Sequence, residues 1–201
     1  MKQLGDAFLF WWRLEVRRAT GLATLLLFLL LLLLSETIAF LRHPLSPSAG
    51  AVLFWLTYLF ILFQAIPRTL LELRPEEWNW LFLIYPSFPL LIGMWLYATS
   101  LGLAVGLLLK GGAFLLRAYH PSLPLCLMGG QGLSVPLLIS AFITARIEGS
   151  YALGAVLALP LLLFPLLLLT LNPHPSLLAL LLLWAAESIL FLVLGPYVQL
   201  S

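Results

Sequence analysis

The residues of this chain whose types could support chemistry fall into three groups. The densest lies between Arg68 and Glu77 and comprises Arg68, Glu72, Arg74, Glu76 and Glu77, interrupted by Pro75. Neighbouring carboxylates can serve acid–base work, or they can present charge to a partner. The second group is three histidines, His43, His120 and His174, each followed directly by a proline. Neutral imidazole ligates metals and heme iron, and His120 and His174 are the pair singled out for an outer-side ligand role. Against that stands their simpler use as polar turn residues, with no second ligand at helical spacing. The third group is Glu36 and Glu187, set in long apolar runs. A carboxylate at such depth costs about 3 kcal/mol on insertion scales, so it is usually functional or paired.

Catalytic motifs are missing around these groups. The chain has no GxSxG elbow, HExxH, P-loop or GxGxxG. Glu76-Glu77 resembles the start of the glutamate motif of CAAX-type intramembrane proteases, but Leu81 stands where the partner arginine belongs. The single cysteine, Cys126, lacks a CxxC partner and reads as a small core residue. The expectation is a non-catalytic membrane subunit with no metal site and no tightly bound cofactor. Any ATP hydrolysis then belongs to a separate chain.

The elements that must position these residues are membrane helices. Of the 201 residues, 63% are hydrophobic and 9% charged, more apolar surface than a water-facing fold tolerates. Each span takes roughly 20 residues, so six spans use most of the chain and leave one transmembrane permease domain, 1–201. Residues 1–20 mix Arg13, Glu15, Arg17 and Arg18 with Phe8, Phe10, Trp11 and Trp12. They read as an amphipathic interfacial helix, with charges toward headgroups and rings toward acyl chains, and not as a cleaved signal.

Span one runs about Gly21 to Leu41, and span two about Gly50 to Ile66, stopped by Pro67 and Arg68. A cytoplasmic elbow, 68–80, follows as a short exposed helix. Span three runs about Leu90 to Leu109 and ends at Lys110 and Gly111-Gly112. Span four is about Leu125 to Ala145 and contains Gly129, Gly130, Gly132 and Pro136. Span five, about Tyr151 to Leu171, should be kinked by Pro160 and Pro165. Span six is about Ser176 to Gly195.

With both termini inside, Lys2, Arg13, Arg17, Arg18, Arg68, Arg74 and Arg146 are cytoplasmic, while Arg42, Lys110 and Arg117 lie outside. Seven against three obeys the positive-inside rule. The histidines then face outward. Glu36 falls near the outer end of span one and suits the interface, whereas Glu187, beside Ser188 near the middle of span six, suits a bundle-facing role in protonated form. The net charge of +2 is dispersed among apolar blocks, which excludes a nucleic-acid surface. A small bundle with a charged inner elbow and no energy-converting motif fits a permease driven by a separate ATPase.

Several segments carry a family likeness. Arg13-Leu14-Glu15-Val16, the elbow through Glu76, Glu77, Trp80-Leu81 and Pro86, and Ala141-Phe142-Ile143-Thr144-Ala145-Arg146 ahead of a proline-broken fifth span resemble the CcmB family. That family comprises the permease subunits of the ABC-type heme exporter of cytochrome c maturation. The likeness spans most of the chain and is strongest from Gly132 to Leu169. The elbow departs from the family pattern in lacking a glycine ahead of its Leu-Glu pair.

The resemblance implies a type II ABC exporter half in the bacterial inner membrane. Two copies would pair with two CcmA-like ATPases and associate with CcmC-like and CcmD-like membrane proteins. Heme would be a handled ligand, and ATP hydrolysis would be linked to release of a heme-loaded chaperone. Glu72, Arg74, Glu76 and Glu77 would then contact the ATPase, supported by Arg13, Arg17 and Arg146. The alternatives are a type II permease for a lipid, polysaccharide or drug, and a non-transporting scaffold subunit.

Overall fold

The computed structural model describes residues 2–17, 46–115, 121–147, 151–171 and 176–200, together with positions 30, 34 and 38. The regular elements among them are seven helices: α1 (Lys2–Arg17), α2 (Pro47–Leu71), α3 (Pro75–Ile84), α4 (Ser87–Leu115), α5 (Leu123–Arg146), α6 (Tyr151–Leu171) and α7 (Leu177–Leu200). Five of them, α2 and α4 to α7, are long and apolar enough to cross a bilayer, so the chain is an all-α, multi-pass membrane protein. The first expected span, Gly21 to Leu41, lies outside the described residues apart from Leu30, Leu34 and Ile38. Those three are helical and exposed.

The bundle is organised around α5, which packs on α2, α4, α6 and α7. In α5, 83% of the apolar 18-residue stretch is buried, against 28% in α6 and 22% in α7. Yet α5 carries Gly129, Gly130, Gln131, Gly132, Ser134, Ser140 and Thr144, whereas α6 and α7 are almost wholly aliphatic. The most apolar helices are therefore the least buried. That ordering suits a bilayer, because lipid accepts leucine freely and close helix approach needs small residues.

Backbone proximity is visible where Tyr58 of α2 enters between α4 and α5. Its hydroxyl donates to the carbonyl of Gly102, and it occupies the space that a Cβ at Gly106 or Gly130 would claim. Gly129 likewise leaves room for the Trp55 ring. The interior hydroxyls return their protons to their own helix: Thr69 to the Ala65 carbonyl (3.0 Å), Ser140 to that of Leu137 (3.0 Å) and Thr144 to that of Ser140 (2.7 Å). Gln131 instead donates across to the Thr99 carbonyl of α4 at 2.9 Å.

Three sequence expectations need correction. Span two does not stop at Pro67: α2 continues through buried Pro67 and Arg68 to Leu71. Arg68 therefore belongs to the last turn of α2, and the exposed elbow helix proper is α3. Neighbouring helices in a bundle tolerate the backbone carbonyl that a proline frees, so proline is a weaker stop here than in water. Helix α6 likewise contains Pro160 and Pro165 and covers the single fifth span expected there. Span three also runs past its expected end, since Gly111 and Gly112 lie within α4.

The third correction concerns α1, whose rings do not face outward. Ala7 and Trp11 are fully buried, Phe8, Phe10 and Trp12 are packed on the core, and the exposed side carries Gln3, Asp6, Leu9 and Arg13. Trp11 lies 6.5 Å from Tyr97, and Trp12 donates its indole N–H to Ser100 at 3.1 Å. Gly93 permits this approach, because a Cβ there would come within 2.9 Å of the Ala7 Cβ and 3.1 Å of backbone atoms at Ala7 and Phe8. A Gly93→Val variant is expected to push α1 off α4 at a cost of about 1–3 kcal/mol. Thermal unfolding in detergent should fall by several degrees; an unchanged midpoint would show that α1 does not rely on this contact.

Candidate functional site

The elbow begins where α2 runs out. Glu72 caps that helix and pairs with Arg68, Nε to Oε1 2.8 Å, an exposed pair one turn apart worth about 0.3–0.5 kcal/mol. Leu73 turns inward, and Arg74 begins α3 in extended backbone. The Arg74 backbone N–H donates to Glu77 Oε2 at 2.8 Å, Pro75 occupies the first turn where no N–H is needed, and Glu76 and Glu77 sit at the positive end of the helix dipole. A ten-residue helix that would be marginal alone is thus started by local chemistry.

Packing finishes what the caps start. Trp78 and Leu81 point into the bundle and are 2% exposed, while Trp80 on the opposite side is 62% exposed. The Trp78 ring meets Trp11 of α1 at 6.0 Å, Phe82 at 5.8 Å and Phe142 of α5 at 6.0 Å. Phe142 in turn meets Phe191 of α7 edge-on at 5.8 Å. The elbow helix is therefore joined ring to ring to the central helix and through it to α7. Aromatic pairs of this kind contribute about 0.5–1.5 kcal/mol each beyond their burial.

Between α1 and α3 opens a cavity of about 400 Å³ lined by Phe10, Leu14, Leu73, Glu76, Glu77, Trp80 and Leu81. Its floor is aliphatic and aromatic, with the two carboxylates as its polar members. Beside it, sharing Phe10 and Leu14, lies a second cleft of about 320 Å³ that includes Asp6, Arg13 and Tyr85. Together they make a groove along the α1–α3 seam, apolar at the bottom and charged at the edges. A surface of this kind has the chemistry to receive apolar side chains and to orient them by charge.

The fold brings most of the singled-out elbow residues together. Glu76 and Glu77 line the groove, Arg74 is exposed at its helix start, and Arg13 joins from α1. Arg146, at the C-terminal end of α5, places its guanidinium 5.3 Å above the Phe82 ring, a cation–π contact that ties α5 to the elbow from below. Arg17 closes α1. Glu187 lies apart, buried in α7 at 7% exposure. Glu36, His120 and His174 fall outside the described residues, and among those described no three potential metal-ligating side chains gather.

Sequence reading directs Trp11 toward acyl chains and does not single out Trp78 or Leu73; Leu73 lines the groove with Leu14, and Trp11 and Trp78 meet in the core beside it. Their signal was present but faint: Trp78 and Leu81 lie three apart on one side of α3, opposite Trp80. No protein-family model, curated protein or solved structure matches this chain.

Proposed function

We propose that this chain is the permease subunit of an ABC-type exporter, worked by a separate ATPase that docks in the α1–α3 groove from the cytoplasm. The observation that carries this reading is the groove itself, with Glu76 and Glu77 at the rim of an apolar floor, on a short helix between two long spans. The likeness to the CcmB family supplies the biological setting: heme export, or release of the heme-loaded chaperone, in c-type cytochrome biogenesis at the bacterial inner membrane. The complex would contain two copies of this chain, a CcmA-like ATPase pair, and CcmC-like and CcmD-like membrane proteins. The full permease has six spans with both termini inside.

Its mechanism is conformational. Closure of the ATPases on ATP displaces α3, and the displacement passes through Trp78 and Phe142 to Phe191, and through Phe82 to Arg146, because packed cores shift between arrangements and do not stretch. The outer surface of the bundle changes in response.

Affinity purification from native membranes tests this directly. A co-purifying ATPase whose turnover rises on reconstitution with this chain is the expected result. Labelling of cysteines placed at Glu76 and Glu77 from the periplasmic side would overturn it.

A further inference from the structure

We infer that Glu187 is a proton-binding site inside the helix bundle. Its carboxyl lies on the buried side of α7, 7% exposed, and Oε2 has no hydrogen-bond partner among the described residues. That side of α7 is pressed against α4 and α5. Trp95 of α4 donates its indole N–H to Ser188 Oγ at 3.0 Å, and Ser188 donates to its own helix at the Trp184 carbonyl, 2.7 Å away. The rings of Trp95 and Trp184 stack at 5.8 Å. Further along, Phe191 meets Phe142, and Gly195 admits the Leu91 side chain.

No described charge faces this carboxyl from the elements around it. From α4 come Leu91 and Trp95; Tyr97 turns to Thr69 of α2, and Lys110, far along the helix, donates to the Pro121 carbonyl. From α6 comes nothing ionisable beyond Tyr151. The cation of α5 is Arg146, and direction places it away. Pairings of Gly102 with Gly130 and of Gly106 with Cys126 make α5 antiparallel to α4, while Trp95–Ser188 and Leu91–Gly195 make α7 antiparallel to α4 as well. Helices α5 and α7 thus run the same way. With Phe142 beside Phe191, Glu187 is level with the stretch about one turn before Phe142, and Arg146 is displaced by roughly 12 Å along the axis.

An ionised carboxylate in this position would be buried without a counter-charge among the described residues, a state that proteins avoid by neutralising the group. A metal ion is the poorer occupant. It needs several oxygen ligands, the Ser188 hydroxyl is already engaged as donor and acceptor, and no ligating cluster surrounds it among the described residues. A proton needs one oxygen. Trp184, one turn back on the same side of α7, has a buried indole N–H without an acceptor among the described residues, a donor suited to the carbonyl oxygen of a neutral carboxyl. Exchange with water requires α7 to part from α4, so proton occupancy follows the opening of the bundle. The site stands on the packing of α4, α5 and α7 and does not depend on what docks at the elbow.

The test uses the full chain in native membranes with dicyclohexylcarbodiimide at neutral pH. A protonated carboxyl adds across one C=N bond of this reagent, and the O-acylisourea rearranges to a stable N-acylurea that peptide mass spectrometry locates. Glu187 is expected to carry on the order of ten-fold more adduct than Glu76 or Glu77, because reagent and carboxyl share the hydrocarbon phase. A water-soluble carbodiimide with an amine nucleophile should give the reverse order. Infrared spectra of wild type and Glu187→Gln provide the second measurement, with a protonated-carboxyl C=O band expected in the wild type and missing in the variant. Labelling of Glu187 by the water-soluble reagent in preference, or an identical band in both proteins, would overturn the inference. Should neither reagent reach Glu187, the infrared comparison decides.

Discussion

Replacing Glu76 and Glu77 together with lysine is expected to abolish the proposed docking of an ATPase in the α1–α3 groove while leaving the bundle folded. Both side chains are exposed and line the mouth of the 400 Å³ cavity, so reversal turns attraction of a basic partner surface into repulsion without disturbing Trp78 or Leu81 beneath. Like charges forced together at an interface cost several kcal/mol, and each 1.4 kcal/mol is about ten-fold in affinity, so co-purification should drop by roughly a hundred-fold or more. Glu77 also accepts the Arg74 N–H, and losing that cap costs about 0.5–2 kcal/mol on its own. Glu76→Lys alone spares the cap and separates the two effects. If an ATPase co-purifies with Glu76→Lys at wild-type stoichiometry, the α1–α3 groove is not the docking surface. Trp80→Ala probes the apolar half of the same surface, since its ring is 62% exposed and lines the cavity.

The second large effect is expected at Gly130. A methyl group there would overlap the Tyr58 hydroxyl, which is hemmed in by Gly106 on the facing helix and committed to the Gly102 carbonyl. Helix α5 has little room to retreat, because it packs on α2, α4, α6 and α7 at once. Gly130→Ala should therefore cost about 3 kcal/mol, at the upper end of overpacking effects. Tyr58→Phe removes the nearest obstructing atom but leaves the ring carbon Cζ at 2.6 Å from the added methyl, so it relieves the overlap in part while losing one hydrogen bond, about 1 kcal/mol. The double variant should then be more stable than Gly130→Ala alone, a coupling that thermal or denaturant unfolding in detergent reads as a double-mutant cycle. Additive losses would mean that α5 accommodates the methyl group by another route.

Both predictions rest on features that the sequence displayed unequally. The Glu76-Glu77 pair and its flanking arginines stood out because charge is rare in this chain, and the turn chemistry of Pro75 placed them on a short helix. That Arg13 of α1 and Arg146 of α5 approach the same elbow is a matter of tertiary contact: one lines the adjoining cleft, the other lies over Phe82. Tyr58 carried no sign in the sequence of its place between Gly106 and Gly130, which lie 24 residues apart on two helices.

The misreadings share a cause. Pro67 and Gly111-Gly112 looked like helix ends by rules calibrated in water, yet α2 and α4 pass through them, since neighbouring helices make up for what proline and glycine lose. The rings of α1 looked suited to acyl chains and instead pack against α3 and α4, because Gly93 opens a seat for Ala7.

Long runs of leucine, and the rarity of charge between them, were enough to indicate a multi-pass bundle of membrane helices, of which the described residues contain five. Which helix occupies the middle, which side of each helix meets protein, and where Glu187 lies relative to any cation were settled only by packing. In lipid, both sides of a helix can be equally apolar, so hydrophobic periodicity no longer marks the inner side. Shape takes over, and the fit of a ring into a glycine gap is a property of two helices together that neither carries alone.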